Sequence, residues 1–150
     1  MIDVIEQSAV PATVTGTTGK TPLGLALIPA GIMGPDGQLR INISYSHNAN
    51  ANNKTLSIEV GGTLVFISVE QAGTPQMSST LRIRNRASLQ SQVINNVSEV
   101  SATSQPATVQ ATATIDFTRD QQLVIYGQLS NAGDNLTLES FCVEYLRAGP

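Results

Sequence analysis

From Gln38 to Tyr45 polar and apolar residues strictly alternate: Leu39, Ile41, Ile43 and Tyr45 are separated by Arg40, Asn42 and Ser44. A period of two places one side of an extended strand against a core and the other toward water or a partner. The pattern recurs at Lys54–Val60, Ser79–Arg86, Thr108–Phe117 and Gln122–Leu129. Leu23, Leu25 and Leu27 alternate with small residues until Pro29 ends the run, and Leu136–Arg147 closes the chain with a dense apolar stretch. In Thr108–Phe117 the residues expected inward are Val109, Ala111, Ala113, Ile115 and Phe117.

The punctuation between these runs is specific. Met33-Gly34-Pro35-Asp36-Gly37 predicts a tight turn, with Pro fixing φ, Asp bonding locally and Gly supplying positive φ. Gly61-Gly62 between Lys54–Val60 and Thr63–Val69 predicts a hairpin with a primed turn. His47–Asn53, Gln71–Gln76, Ser101–Ala107 and Asn131–Asn135 read as loops. Ala87–Val100 carries Leu89, Val93 and Val97 at helical spacing, but its β-branched residues and Asn95-Asn96 favour a strand or irregular chain. Thr63–Val69 has Ser68 as its one internal polar residue and is expected to be buried on both sides, centrally or against another subunit.

Eight or nine strands without a confident helix predict an all-β fold, an antiparallel β-sandwich of jelly-roll-like form. The body spans residues 21–150. Residues 1–20, punctuated by Pro11, Gly16 and Gly19, read as an extended N-terminal arm that adds a strand to a neighbour, or as a frayed terminus.

Composition changes this picture in one respect. Charged residues make up 13% of the chain, about half the usual share. Ser, Thr, Asn and Gln account for 50 of the 150 residues. A polar but nearly uncharged surface suits a protein covered by copies of itself or by partners; a neutral monomer is the simpler alternative. The few aromatics imply a thin aliphatic core that subunit contacts would reinforce, and Val65, Ile67 and Val69 are the candidate oligomer contact of a homo-dimer or homo-trimer.

Charge and motif content narrow the chemistry. A net charge of −3 argues against a nucleic-acid partner. No run of 18 apolar residues predicts a membrane span, and the first residues lack the pattern of a secretory signal. Gly16–Thr21 resembles the end of a phosphate-binding loop, but Val14 stands where the motif needs its first Gly. His47, the single histidine, has no acid close in sequence, so a catalytic triad is not indicated. One His and one Cys do not supply a zinc site, and Cys142 in an apolar strand reads as a buried small hydrophobe. Asp116, Asp120 and Asp134 lie near turns without calcium-loop spacing. No catalytic, cofactor or metal residues are assigned, and no enzyme activity is expected.

Arg82, Arg84 and Arg86 are the one charged feature with shape, and alternation aims them to one face. They form either a docking stripe for carboxylates of an acidic partner or a solvated edge that discourages aggregation.

The segment Ile28–Ile41, followed by Ser44-Tyr45-Ser46, Ala51–Leu56, Gly61-Gly62-Thr63 and Asn85-Arg86, resembles a recurring segment of tailed-bacteriophage virion proteins, found in tail-fibre-like modules and capsid-associated proteins. The resemblance covers roughly residues 28–95 and rests on turns and strand edges. It implies an oligomeric all-β virion module with no catalytic residues to transfer. The expectation is a capsid decoration (cement) protein that binds the major capsid protein or another virion protein on the capsid surface. The alternatives are a tail-fibre or baseplate module binding host surface glycans and, less in keeping with the absence of Trp, a small glycan-cleaving enzyme.

Overall fold

A computed structural model of the chain describes residues 2–73, 75–98 and 112–147. Eleven strands run in the order β1 (Ile2–Ser8), β2 (Ala12–Thr15), β3 (Thr21–Ile28), β4 (Gln38–His47), β5 (Lys54–Val60), β6 (Thr63–Glu70), β7 (Gln76–Asn85), β8 (Gln92–Ser98), β9 (Thr112–Ala113), β10 (Gln121–Leu129) and β11 (Asn135–Leu146). They form two antiparallel sheets. The larger runs β1-β11-β4-β7-β8-β9, with β2 also on β11, and the smaller runs β3-β10-β5-β6. The molecule is an antiparallel β-sandwich of jelly-roll-like form, as the strand periodicity predicts.

The alternation seen in the sequence becomes the two faces of each sheet. Leu39, Ile41, Ile43 and Tyr45 of β4 are buried, as are Leu56, Ile58 and Val60 of β5 and Leu123, Ile125 and Leu129 of β10. Between the sheets these side chains form one core, to which Phe66, Phe117 and Tyr145 add aromatic bulk. Both predicted turns form. Gly61 and Gly62 carry φ of 57° and 81°, the positive values a primed hairpin needs. At Gly37 a Cβ would lie 1.9 Å from the Met33 carbonyl oxygen, so the turn admits only glycine there. Asn85 anchors this turn, donating from its backbone N to Gly37 O at 2.9 Å and from Nδ2 to Gly34 O at 2.7 Å.

Several expectations change. Residues 2–8 and 12–15 are strands that pair with β11 of the same chain, from Ile2 opposite Leu146 to Ala12 opposite Leu138. The predicted arm is thus extended but adds its strand in cis. β8 resolves Ala87–Val100 in favour of a strand over Gln92–Ser98, while 99–100 lie outside the described residues. Of Thr108–Phe117, residues 108–111 lie outside the described residues and only Thr112–Ala113 is strand. Ala113, Ile115 and Phe117 are buried as predicted. Past Ala113 the ladder is replaced by one side chain: Gln92 Oε1 accepts from Ile115 N at 2.8 Å, and Gln92 Nε2 donates to Ile115 O at 3.0 Å.

β6 departs most from its sequence reading. It ends the smaller sheet's strand order, and a bulge sets Phe66 opposite Ile58 but Leu64 opposite Glu59, leaving Val65 as the extra residue. The shift turns Ser68 and Glu70 into the core and Ile67 and Val69 outward. A bulge reverses the face of every residue beyond it, which a simple count of apolar positions does not register.

Candidate functional site

The outer face of the larger sheet carries polar side chains over β4 and β7, flanked by Val93 of β8 on one side and by Leu146 of β11 and the exposed Ile2 and Val4 of β1 on the other. Register places Glu144, Arg40, Arg82 and Asn95 in one cross-strand row over β11, β4, β7 and β8. On one side lies the row Leu146, Gln38, Arg84 and Val93. On the other lie Cys142, Asn42 and Thr80, then Ser140, Ser44 and Ser78. The face therefore has a cationic end and an amide-and-hydroxyl end.

At the cationic end Arg40 pairs with Glu144, donating from Nε at 2.8 Å and also from Nη2. Arg84 donates from Nε (3.1 Å) and Nη2 (2.7 Å) to Gln38 Oε1, a neutral acceptor. Arg82 and Arg84 are exposed on the outward face of β7, and Arg86 lies exposed one residue past its end. Among the described residues none of Arg82, Arg84 and Arg86 has a carboxylate ion-pair partner. Arg82 stands directly across from Arg40, and the Glu144 carboxylate on the far side of Arg40 offsets this like-charge pairing.

At the other end a groove of about 650 Å³ opens, lined by Gln7, Asn42, Ser44 and Ser140 together with the apolar Ala9 and Phe141. Thr80 Oγ1 donates to Asn42 Oδ1 at 2.9 Å, which leaves the Asn42 NH₂ as a donor. Cys142 lines this groove half-buried and so faces outward, contrary to the reading of a core thiol. Burial, and then the hydrogen bond to Glu144, push its thiol up.

The outer face of the smaller sheet is different. Leu25 and Leu27 of β3 are 55% and 54% exposed. Leu25 stands beside Val124 and Pro22 beside Tyr126, and across β5 the half-buried Ile67 and Val69 continue the surface. Lys20 caps Tyr126 with its ammonium 4.3 Å from the ring centroid and pairs with Glu59. Of the three residues predicted as an oligomer contact, Ile67 and Val69 belong to this face. Val65 is fully buried in the core of the same chain.

Two buried polar clusters escaped the sequence reading. Asp134 accepts from Asn48 Nδ2 (2.8 Å), Asn50 Nδ2 (2.6 Å) and Asn52 Nδ2 (2.9 Å). These hydrogen bonds, with the Lys54 charge, hold its carboxyl below the usual range against the opposing effect of burial. The fully buried Lys54 donates from Nζ to Asn50 Oδ1 at 2.6 Å and Asn52 O at 2.9 Å. In the second cluster Glu70 accepts from Ser68 Oγ and, at 3.4 Å, from Tyr45 Oη across the sandwich. Burial is the main cause that pushes the Tyr45 hydroxyl up to about 12. The signal in the sequence was the alternate Asn spacing at 48, 50 and 52, which aims three amides to one side.

His47 is buried with Nδ1 2.9 Å from Asn48 O, and among the described residues Nε2 has no hydrogen-bond partner. Among the described residues no group of three or more His, Cys, Asp or Glu is placed to hold a metal ion. Gly16–Thr21 spans the β2–β3 connection and the first residue of β3, where Gly16 N donates to Ala132 O.

No family model matches this chain, and no curated protein matches it. Among solved structures it is similar to the insecticidal delta-endotoxin Cry8Ea1 of Bacillus thuringiensis, with 14% identity and a TM-score of 0.43 over 89% of this chain. The chain spans only 19% of that toxin's length. It is also similar to the CBM2 module of the evolved Dit of Lactobacillus casei BL23 phage J-1 (9% identity, TM-score 0.42, 84% of this chain and 70% of that one). Peanut lectin is a third (7% identity, TM-score 0.41, 97% and 91%). Likeness at this level assigns no function.

Proposed function

We propose that this chain is a non-enzymatic structural protein of a tailed-phage particle, a decoration protein that binds and stabilises the head shell as a homo-oligomer. The observation that carries this reading is the outer face of the smaller sheet. Leu25 and Leu27 are more than half exposed beside Val124 and Tyr126, in a chain with 13% charged residues. Exposed apolar surface gathered on one sheet face supports association with another protein surface. The virion-like segment over residues 28–95 supports a phage particle as the setting, with the major capsid protein as the partner.

The test has two parts. Sedimentation velocity should give a concentration-dependent dimer or trimer for the natural chain and a monomer for Leu25→Lys/Leu27→Lys. Gold-labelled antibody to this protein should decorate the heads of purified particles. Label confined to the tails would replace decoration by a tail role. A monomer at every concentration would overturn the homo-oligomer.

A further inference from the structure

We infer that the outer face of the larger sheet is a binding site for an acidic polysaccharide, whose hydroxyls occupy the Asn42–Ser44 groove while its carboxylates reach Arg82 and Arg84. This goes beyond a decoration role and concerns the opposite face of the sandwich from the apolar surface.

Three observations meet here. First, the cations are concentrated. Four of the eight Lys and Arg residues, Arg40, Arg82, Arg84 and Arg86, lie at one end of this face or just past it, although the chain carries a net charge of −3. Only Arg40 of these has a carboxylate ion-pair partner among the described residues. Arg82 stands directly opposite Arg40, whose charge Glu144 balances, so Arg82 is the cation of that row left to meet a bound carboxylate. Second, Gln38 Oε1 holds one side of the Arg84 guanidinium, so part of the entropy of ordering that side chain is already spent before an anion arrives.

Third, the face continues into a groove of about 650 Å³ that presents the amides of Gln7 and Asn42 and the hydroxyls of Ser44, Ser78 and Ser140 beside the apolar surface of Phe141. Among the described residues the Asn42 NH₂ has no acceptor, and Ser44, Ser78 and Ser140 each offer a donor and two acceptor lone pairs. Groups that both donate and accept, spaced at the roughly 5 Å of neighbouring strands, can bond hydroxyls on alternate ring carbons of a sugar. A neutral glycan would leave the arginines idle.

An acidic polypeptide is the competing ligand, and the topology disfavours it. β11, β4 and β7 are each paired on both sides, so this face offers no open backbone ladder for an added strand.

Affinity electrophoresis of the full chain separates the cases, with four polymers in the gel: polygalacturonate, its fully methyl-esterified form, dextran and polyglutamate. Polygalacturonate should retard the protein most, and less so as salt rises. Arg82→Gln/Arg84→Gln should weaken that retardation roughly 10–100-fold, the effect of losing two charge-assisted contacts. Asn42→Ala/Ser44→Ala should weaken it too while leaving the melting temperature nearly unchanged. Equal retardation by polyglutamate, insensitive to Asn42→Ala/Ser44→Ala, would overturn the inference in favour of a general acidic surface. So would retardation by dextran equal to that by polygalacturonate, or no retardation by any polymer. None of these outcomes bears on the sedimentation or labelling results, so this site and the decoration role stand or fall separately.

Discussion

Asp134 and Lys54 are joined through a single amide: Asn50 donates from Nδ2 to Asp134 Oδ1 at 2.6 Å and accepts from Lys54 Nζ on Oδ1, also at 2.6 Å. The carboxylate is thereby coupled to the ammonium without direct contact. The polar cluster fastens the β4–β5 loop to the turn before β11 at one end of the sandwich. Burying Lys54 completely is tolerable only because loop carbonyls and this amide replace its hydration.

Removing the bridge should be costly. In Asn50→Ala, Lys54 Nζ and Asp134 each lose a partner in a closed environment, and a buried group left unsatisfied costs about 1–3 kcal/mol. Urea denaturation should show a lower midpoint with an unchanged slope. An unaltered midpoint would mean that water replaces the amide freely.

Acid should loosen the same region. The Asp134 carboxyl titrates below its ordinary value of 3.8 in the folded chain, chiefly through hydrogen bonds from Asn48 and Asn50. The unfolded chain then takes up the proton first as pH falls. The stabilisation is complete above the unfolded value and is lost as pH drops through the folded one. Asp116 is lowered as well, mainly by Thr118, and acts in the same direction. Asp134→Asn should therefore flatten, without abolishing, the dependence of stability on pH below about 4. Equal slopes for the two proteins in that window would remove Asp134 as a cause.

β6 offers a contrast between neighbours. Val65→Ala should cost about 1–3 kcal/mol of stability, because it opens a cavity at a fully buried position, and should leave association unchanged. Ile67→Lys sits on the outer face and should do the reverse, raising the monomer fraction in sedimentation with little change in melting temperature. If Val65→Ala alone altered assembly, the outer face of the smaller sheet would not be the contact.

Gln92 stands in for a strand. Its amide closes both backbone groups of Ile115 and also donates to Asn85 Oδ1 at 3.1 Å. Gln92→Ala should accelerate hydrogen exchange at the Ile115 amide by orders of magnitude more than at β4 amides, and lower stability by about 1–3 kcal/mol. Uniform exchange across the two sheets would show that the side chain does not carry this segment.

Much of the architecture is legible in the sequence because its causes are local. Alternation sorts Leu39, Ile41 and Ile43 from Arg40, Asn42 and Ser44 with no knowledge of neighbours, and Gly61-Gly62 dictates its turn by backbone sterics alone. Arg82 and Arg84 could be placed on one face for the same reason. What they face is decided by pairing: only the register of β7 against β4 sets Arg82 beside Arg40 and brings the serines of three strands into one groove. The bulge at Val65 is equally non-local, since it arises from how β6 seats on β5, and it sends Ser68 and Glu70 inward against the apparent pattern. Residues 2–8 show the same division. Their extended character is intrinsic, whereas their pairing with β11 depends on an edge that exists only once the sheet has formed. Periodicity is a property of the chain, and partnership is a property of the fold.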